Sequence, residues 1–123
     1  CALPIFYIED NPVNAEIMQA ILQARPQIHL ELHADGRLGL EAVLSAPPDL
    51  LLLDLQLGEL DGLAILSALR NDASTAGLDV LVVSADVLPA TLSAALAAGA
   101  QGFIAKPLDI ASTLRAIDMM LVD

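Results

Sequence analysis

Five short apolar runs punctuate the chain, and between them the apolar positions recur at spacings of three and four instead. Leu3–Ile8, Leu50–Leu53 and the run within Asp79–Ala85 are almost continuously apolar, as expected of strands covered on both faces. Ile28–His33 alternates apolar with polar residues, which predicts a strand with one drier face near the sheet edge. Gly102–Ala105 is a shorter strand closed by Lys106-Pro107. After a turn at Glu9–Pro12, Val13, Ile17, Ile21 and Leu22 mark a first helix. Leu40, Val43 and Leu44 mark a second, between Asp35-Gly36 and Pro47-Pro48. A third helix starts near Gly62 with Leu66 and Leu69 inward, and residues 71–78 form a loop. A fourth runs from Pro89 to Ala98 and stops at Gly99; the last, from Asp109, carries Ile110, Leu114, Ile117 and Leu121.

Strand and helix alternating five times predict an α/β domain spanning residues 1–123, a doubly wound sheet of five parallel strands with five helices. Ligands of such sheets bind beyond the carboxyl ends of the strands. The residues at those ends are Glu9-Asp10, Asp54, Ser84-Ala85 and Lys106. The stretch DLLLLDLQLGELDG, residues 49–62, is the most informative. Four leucines end on Asp54, and an ionised carboxylate inside a covered strand is costly. Asp54 is therefore expected at the strand exit, where solvent or a cation reaches it.

Composition narrows the choices. Only three of the 123 residues are aromatic while 56% are hydrophobic, so the core is built from Leu, Ala, Val and Ile. A formal charge of −11 repels a phosphate backbone and argues against nucleic-acid binding. The uncharged run Val87–Ala105 has membrane-like length, but Pro89, Gly99, Gln101 and Gly102 interrupt it, so no membrane span is expected. Cys1 is the single cysteine and supports no disulfide framework. A chain that begins with Cys rather than Met and shows no secretory signal is expected to be a piece of a longer polypeptide, cytoplasmic by default. His29 and His33 lie on one strand roughly 13 Å apart, too far to share an ion.

The strand-end residues suggest a chemistry. Three clustered carboxylates repel one another unless a cation sits among them, and hard oxygen ligands favour Mg²⁺ or Mn²⁺. Asp54, placed centrally, can act as a nucleophile toward phosphorus, with the metal, the Lys106 ammonium and the Ser84 hydroxyl neutralising phosphoryl oxygens.

YIEDNP, LLLDLQLGELDG, VVSAD and AGAQGFIAKPLD together resemble the receiver domain of two-component response regulators, over essentially the whole chain. The resemblance implies a flavodoxin-like strand order 2-1-3-4-5 and a signalling module rather than a turnover enzyme. It implies that Asp54 is the phosphoacceptor, Lys106 the phosphate-contacting lysine, Ser84 the switch hydroxyl and Phe103 the switch aromatic. Mg²⁺ would be held by Asp10, Asp54 and the backbone carbonyl of Gln56, with Glu9 acting through water. Gln56 and Asp86 would tune the phosphoryl lifetime. A histidine kinase or histidine phosphotransfer domain would supply the phosphoryl group, self-dephosphorylation would be slow, and a partner or second copy would read the face formed by residues 89–121. YIEDNPVN and KPLD resemble receivers within hybrid sensor kinases in particular.

In one place the chain departs from the family. Leu57-Gly58, followed by Glu59, replaces the usual Met-Pro after the phosphoacceptor, which predicts a more mobile loop and an altered phosphoryl lifetime. Two other readings stand beside the first. One is a receiver-like module that binds partners without being phosphorylated. The other is a phosphatase of the haloacid-dehalogenase type, a family with a second Asp two positions after its nucleophile; Gln56 occupies that position here.

Overall fold

A computed structural model describes residues 3–58 and 60–121; Cys1 and Glu59 lie outside the described residues. In chain order the elements are β1 Leu3–Ile8, α1 Pro12–Leu22, β2 Ile28–His33, α2 Gly36–Ser45, β3 Leu50–Asp54, β4 Gln56–Leu57, β5 Leu60–Asp61, α3 Gly62–Arg70, β6 Val80–Ser84, α4 Pro89–Ala97, β7 Gly102–Ala105 and α5 Ile110–Met120. Five strands pair in parallel in the order β2-β1-β3-β6-β7, which is 2-1-3-4-5 once the two short strands are set aside. Those short strands, β4 and β5, form a separate antiparallel hairpin that the apolar pattern did not announce. The Leu57-Gly58 step explains it: Gly58 adopts φ 62°, a left-handed conformation that glycine takes without a Cβ clash. The glycine of this departure from the family thus stands at the turn.

Side-chain alternation divides the strand residues between two cores. Phe6, Ile8, Leu51, Leu53, Val80 and Val82 pack with Val43, Ile65, Leu66 and Leu69 on the α2–α3–α4 side. Ile5, Tyr7, Leu50, Leu52, Leu81, Val83 and Ile104 pack with Met18, Leu22 and Ile117 on the α1–α5 side. A strand covered on both faces needs apolar residues at every position, which is why β1, β3 and β6 read as unbroken runs. At the edge, β2 touches both α1 and α2, so each face is only partly covered. Its expected alternation fails there: Leu32 is exposed and His33 half-buried.

The helices start where short polar side chains cap them. Asn11 accepts from the Val13 N–H, Asp35 from Leu38, Asp61 from Leu63 and Asp109 from Ser112, at 2.8–2.9 Å. Two helical faces differ from expectation. The buried stripe of α1 is Met18, Ile21 and Leu22, whereas Val13 is 60% exposed and Ile17 is also exposed. In α5 the buried positions are Thr113 and Ile117, and Ile110 is 64% exposed. Apolar spacing alone did not distinguish the inner stripe from the outer residues one turn away.

Gly62, at the start of α3, controls how closely that helix approaches the strand end bearing Asp54. A Cβ at Gly62 would lie 2.5 Å from the Asp54 carbonyl oxygen and 2.7 Å from Leu55 Cα, both backbone atoms that cannot swing aside. Gly62→Ala should therefore destabilise the fold by about 1–3 kcal/mol in denaturant titration, whereas Gly77→Ala, with open space around its Cβ, should be nearly neutral. Equal midpoints for the two variants would contradict this packing.

Candidate functional site

The sheet brings Glu9, Asp10, Asp54, Ser84 and Lys106 to one rim. Glu9 follows β1, Asp54 ends β3, Ser84 ends β6 and Lys106 follows β7. Alternation carries side chains two residues apart to the same face, so Tyr7 and Glu9 point together from β1 and Leu52 and Asp54 from β3. Lys106 Nζ lies 2.9 Å from Glu9 Oε1 and 3.0 Å from Asp54 Oδ2. Both acids are deeply buried, each residue being 2% exposed, while Asp10 is exposed at the lip. Asp54 ends the strand, as expected, and a cation reaches it: with solvent nearly excluded, that cation is the protein's own lysine.

Each acid is further held by donors. Asp54 Oδ1 accepts the Gln56 N–H at 3.0 Å. Glu9 Oε1 accepts the Tyr7 hydroxyl at 2.8 Å, and Oε2 takes a longer bond from the Asn11 N–H at 3.3 Å. Burial, then the adjacent Glu9, raises the Asp54 pKa from 3.8 to about 6 against the pull of Gln56 and Lys106. Burial also opposes ionisation of Glu9, but contacts with Asp54, Lys106, Tyr7 and Asn11 outweigh it and leave its pKa below the ordinary value. For Lys106, burial disfavours the charge and the two carboxylates more than restore it, so its pKa is raised. The cluster of two buried acids, one lysine and the nearby Asp10 is short of positive charge.

Its geometry suits a hard divalent cation. One oxygen from each of Glu9, Asp10 and Asp54 lies within 4.8 Å of the others. Hard oxygen donors of this kind suit Mg²⁺ or Mn²⁺, whose octahedra need neighbouring oxygens about 3 Å apart, so the three carboxylates would draw together around the ion. Among the described residues no cluster includes a histidine; His33 instead pairs with Glu31 at 2.6 Å and packs on Phe6.

The remaining candidates lie further out. Ser84 is buried, and its Oγ accepts the Asp86 N–H at 3.0 Å. The Asp86 carboxylate accepts from Thr91 Oγ1 at 2.7 Å and from the Leu88 N–H at 3.0 Å, bonds that lower its pKa and tie the loop after β6 to α4. Phe103 is 40% exposed on β7, beside the buried Ile104. Gln56 presents its side chain to solvent while its N–H serves Asp54. Sequence reasoning missed Tyr7 and the close approach of Gly62. The signal for Tyr7 was present: it stands two residues before Glu9 on a strand, hence on the same face.

Fold and site together define a class: a doubly wound α/β protein with an acidic cluster and a lysine at the carboxyl rim of its sheet. The model of the response regulator receiver domain matches residues 5–118, and the chain belongs to that family, the receiver domains of two-component systems. Among curated relatives it is 28% identical over 108 residues to the signal transduction histidine-protein kinase BarA of Escherichia coli, covering 88% of this chain and 12% of that protein. It is 32% identical over 117 residues to the response regulator ArlR of Staphylococcus saprophyticus, covering 95% of this chain and 51% of that protein. The chain thus spans an eighth to a half of these relatives. The chemotaxis protein CheY4 of Vibrio cholerae shares the fold, with TM-score 0.90 at 21% identity over 98% of this chain and all of that one. The receiver domain of sensor histidine kinase PA1611 from Pseudomonas aeruginosa, solved with a magnesium ion in its active-site cleft, matches with TM-score 0.87 at 26% identity over 98% of both chains. No described helix is long and apolar enough to cross a membrane.

The raised Asp54 pKa gives a stability test with a definite sign. A carboxyl that holds its proton more tightly when folded contributes stability below its unfolded pKa and loses it as pH rises through the folded value, here from about pH 4 to pH 6. In EDTA at pH 7, Asp54→Asn should therefore be more stable than wild type by about 1–2 kcal/mol. The difference should vanish near pH 4. Added Mg²⁺ should stabilise wild type more than the variant, and a destabilised Asp54→Asn at pH 7 would contradict the charge imbalance.

Proposed function

We propose that this chain is the phosphoacceptor module of a two-component relay, taking a phosphoryl group on Asp54 from the phosphohistidine of a kinase or phosphotransfer partner. The observation that carries this reading is the bridge from Lys106 to Asp54 and Glu9, with Asp10 in reach of the same point. An Asp54 carboxylate oxygen forms the new bond to phosphorus as the donor's P–N bond breaks and the imidazole leaves. Water later cleaves the acyl phosphate slowly, releasing inorganic phosphate and restoring the carboxylate. Mg²⁺ or Mn²⁺, held by Asp10, Asp54 and the Gln56 carbonyl with Glu9 acting through water, would neutralise charge on the phosphoryl oxygens.

This chain's own groups do the rest. Lys106 moves from the carboxylates to one phosphoryl oxygen. Ser84, whose Oγ accepts the Asp86 N–H and retains a proton to give, donates to another. Phe103 turns inward as Ser84 vacates space, and the face made by residues 89–121, with Leu96 and Phe103 exposed along it, is read by an effector or a second copy. Gln56 and Asp86 flank the path of attack and set the phosphoryl lifetime.

The donor has to reach a recessed carboxylate, and an apolar surface adjoins the rim on one side. Ile17, Ile21, Leu108 and Ile110 line a groove between α1 and the start of α5, and Val13 is exposed on α1 near the rim. A phosphohistidine-bearing helix seated there is placed beside Asp10 and Asp54.

Acetyl phosphate with Mg²⁺ should add one phosphoryl group by intact mass, and EDTA or Asp54→Asn should abolish it. Labelling that survives either treatment would sink the assignment. Ile17→Glu and Ile110→Glu should leave acetyl phosphate labelling unchanged and slow transfer from a phosphorylated histidine phosphotransfer domain about tenfold or more, since such a change places charge in an apolar contact. Equal transfer rates would place the donor elsewhere.

A further inference from the structure

Tyr7 opens the YIEDNP stretch, yet the sequence reading gave its side chain no role at the site. It is fully buried on β1 among Ile5, Leu52, Met18 and Ile117, surroundings that a phenylalanine would fill equally well. Desolvating a phenol hydroxyl is unfavourable unless a partner offsets it, and among the described residues that partner is Glu9 Oε1, at 2.8 Å. The hydroxyl therefore serves Glu9 rather than the packing.

Glu9 Oε1 accepts from two donors of different character. Tyr7 projects from the interior of a strand and is fixed by its neighbours, whereas Lys106 sits at the rim 2.9 Å away. Oε2 is held only by the longer bond from the Asn11 N–H at 3.3 Å. If Asp54 is the phosphoacceptor, the reading on which this inference rests, Lys106 has to leave Glu9 to neutralise the incoming phosphoryl group. A carboxylate this deeply buried that lost its main donor would carry an uncompensated charge at the moment of transfer. The Tyr7 hydroxyl remains in place when the lysine departs.

We propose that Tyr7 is a positioning residue for phosphoryl transfer: its hydroxyl keeps Glu9 hydrogen-bonded and in place while Lys106 crosses to the phosphoryl group on Asp54. Tyr7 touches no reacting atom and acts through Glu9. The hydroxyl is needed in the step in which Lys106 departs, and metal binding, which leaves the lysine where it is, does not require it.

The test is Tyr7→Phe, which keeps the ring and its packing. Acetyl phosphate labelling at saturating Mg²⁺ should slow about tenfold, the scale of one hydrogen bond to a charged group. Mg²⁺ affinity by isothermal titration should stay within about twofold of wild type. An unchanged labelling rate would overturn the proposal, as would a loss of Mg²⁺ affinity equal to the loss of rate, which would make Tyr7 only a support of the acidic cluster. A second readout needs no substitution at Tyr7. It is the single tyrosine in a chain without tryptophan, so tyrosine emission reports this one bond. Beryllofluoride with Mg²⁺, a phosphoryl mimic, should leave the Tyr7 hydroxyl bonded to Glu9, so a wild-type emission that shifts to that of a free phenol would also overturn it. Wild type that takes no label at all would overturn the phosphoacceptor reading itself. Labelled wild type with an equally fast Tyr7→Phe would overturn only the role of Tyr7.

Discussion

Lys106, the chain's single lysine, pairs at once with two buried carboxylates from two different strands, and that contact constrains everything around it. It requires β1, β3 and β7 to end at the same level, which the parallel order β2-β1-β3-β6-β7 provides. It requires Glu9, Asp54 and Lys106 to fall on one face, which the phase of each strand sets: they continue the lines of Ile5 and Tyr7, Leu50 and Leu52, and Ile104. Removing the lysine would leave two like charges with little solvent. The site therefore depends on a cation, and the protein keeps one of its own in contact with both acids.

The strongly acidic composition looks different once positions are assigned. Asp35, Asp61 and Asp109 cap helices, where a carboxylate satisfies N–H groups and suits the dipole, and Asp86 holds the entry to α4. The few cations are used locally. Arg25 makes a two-point pair with Asp118 that ties the end of α1 to α5. Arg70 donates to the carbonyls of Thr75, Leu78 and Gly99, gathering the loop after α3 and the turn before β7. That loop, residues 71–78, looks structureless in the sequence because its order comes from one arginine and from Thr75 Oγ1 bonding back to Leu69.

Much of this was legible beforehand, for a physical reason. Strands covered on both faces must be apolar throughout, so β1, β3 and β6 declare themselves and their last residues mark the rim. Where the constraint is weaker the reading slipped. At the edge strand β2, Leu32 and His33 departed from the expected alternation, and in α1 the choice between Ile17 and Met18 depended on tertiary packing that spacing does not contain. The β4–β5 hairpin was invisible because two-residue strands carry no period, and Gly58 spoke for it only through its conformation. The strand pattern put Asp54 at the exit but did not set its depth, which a lysine distant in sequence makes tolerable. Tyr7 was read as one more apolar strand residue when its phase with Glu9 made it part of the site.

Phosphoryl transfer to Asp54 would require Lys106 to be released from Glu9 and Asp54, and a chain with one lysine allows that to be observed directly. With ¹⁵N-lysine incorporated, the ammonium gives a single side-chain signal, which can be followed in the metal-free, Mg²⁺-bound and beryllofluoride-bound protein. The expected result is a modest change with Mg²⁺, a distinct new resonance with beryllofluoride, and no such resonance in Asp54→Asn. A lysine signal that stays the same with and without beryllofluoride, in a protein shown by mass to accept phosphate on Asp54, would mean that the bridge is static and that Lys106 does not cross to the phosphoryl group.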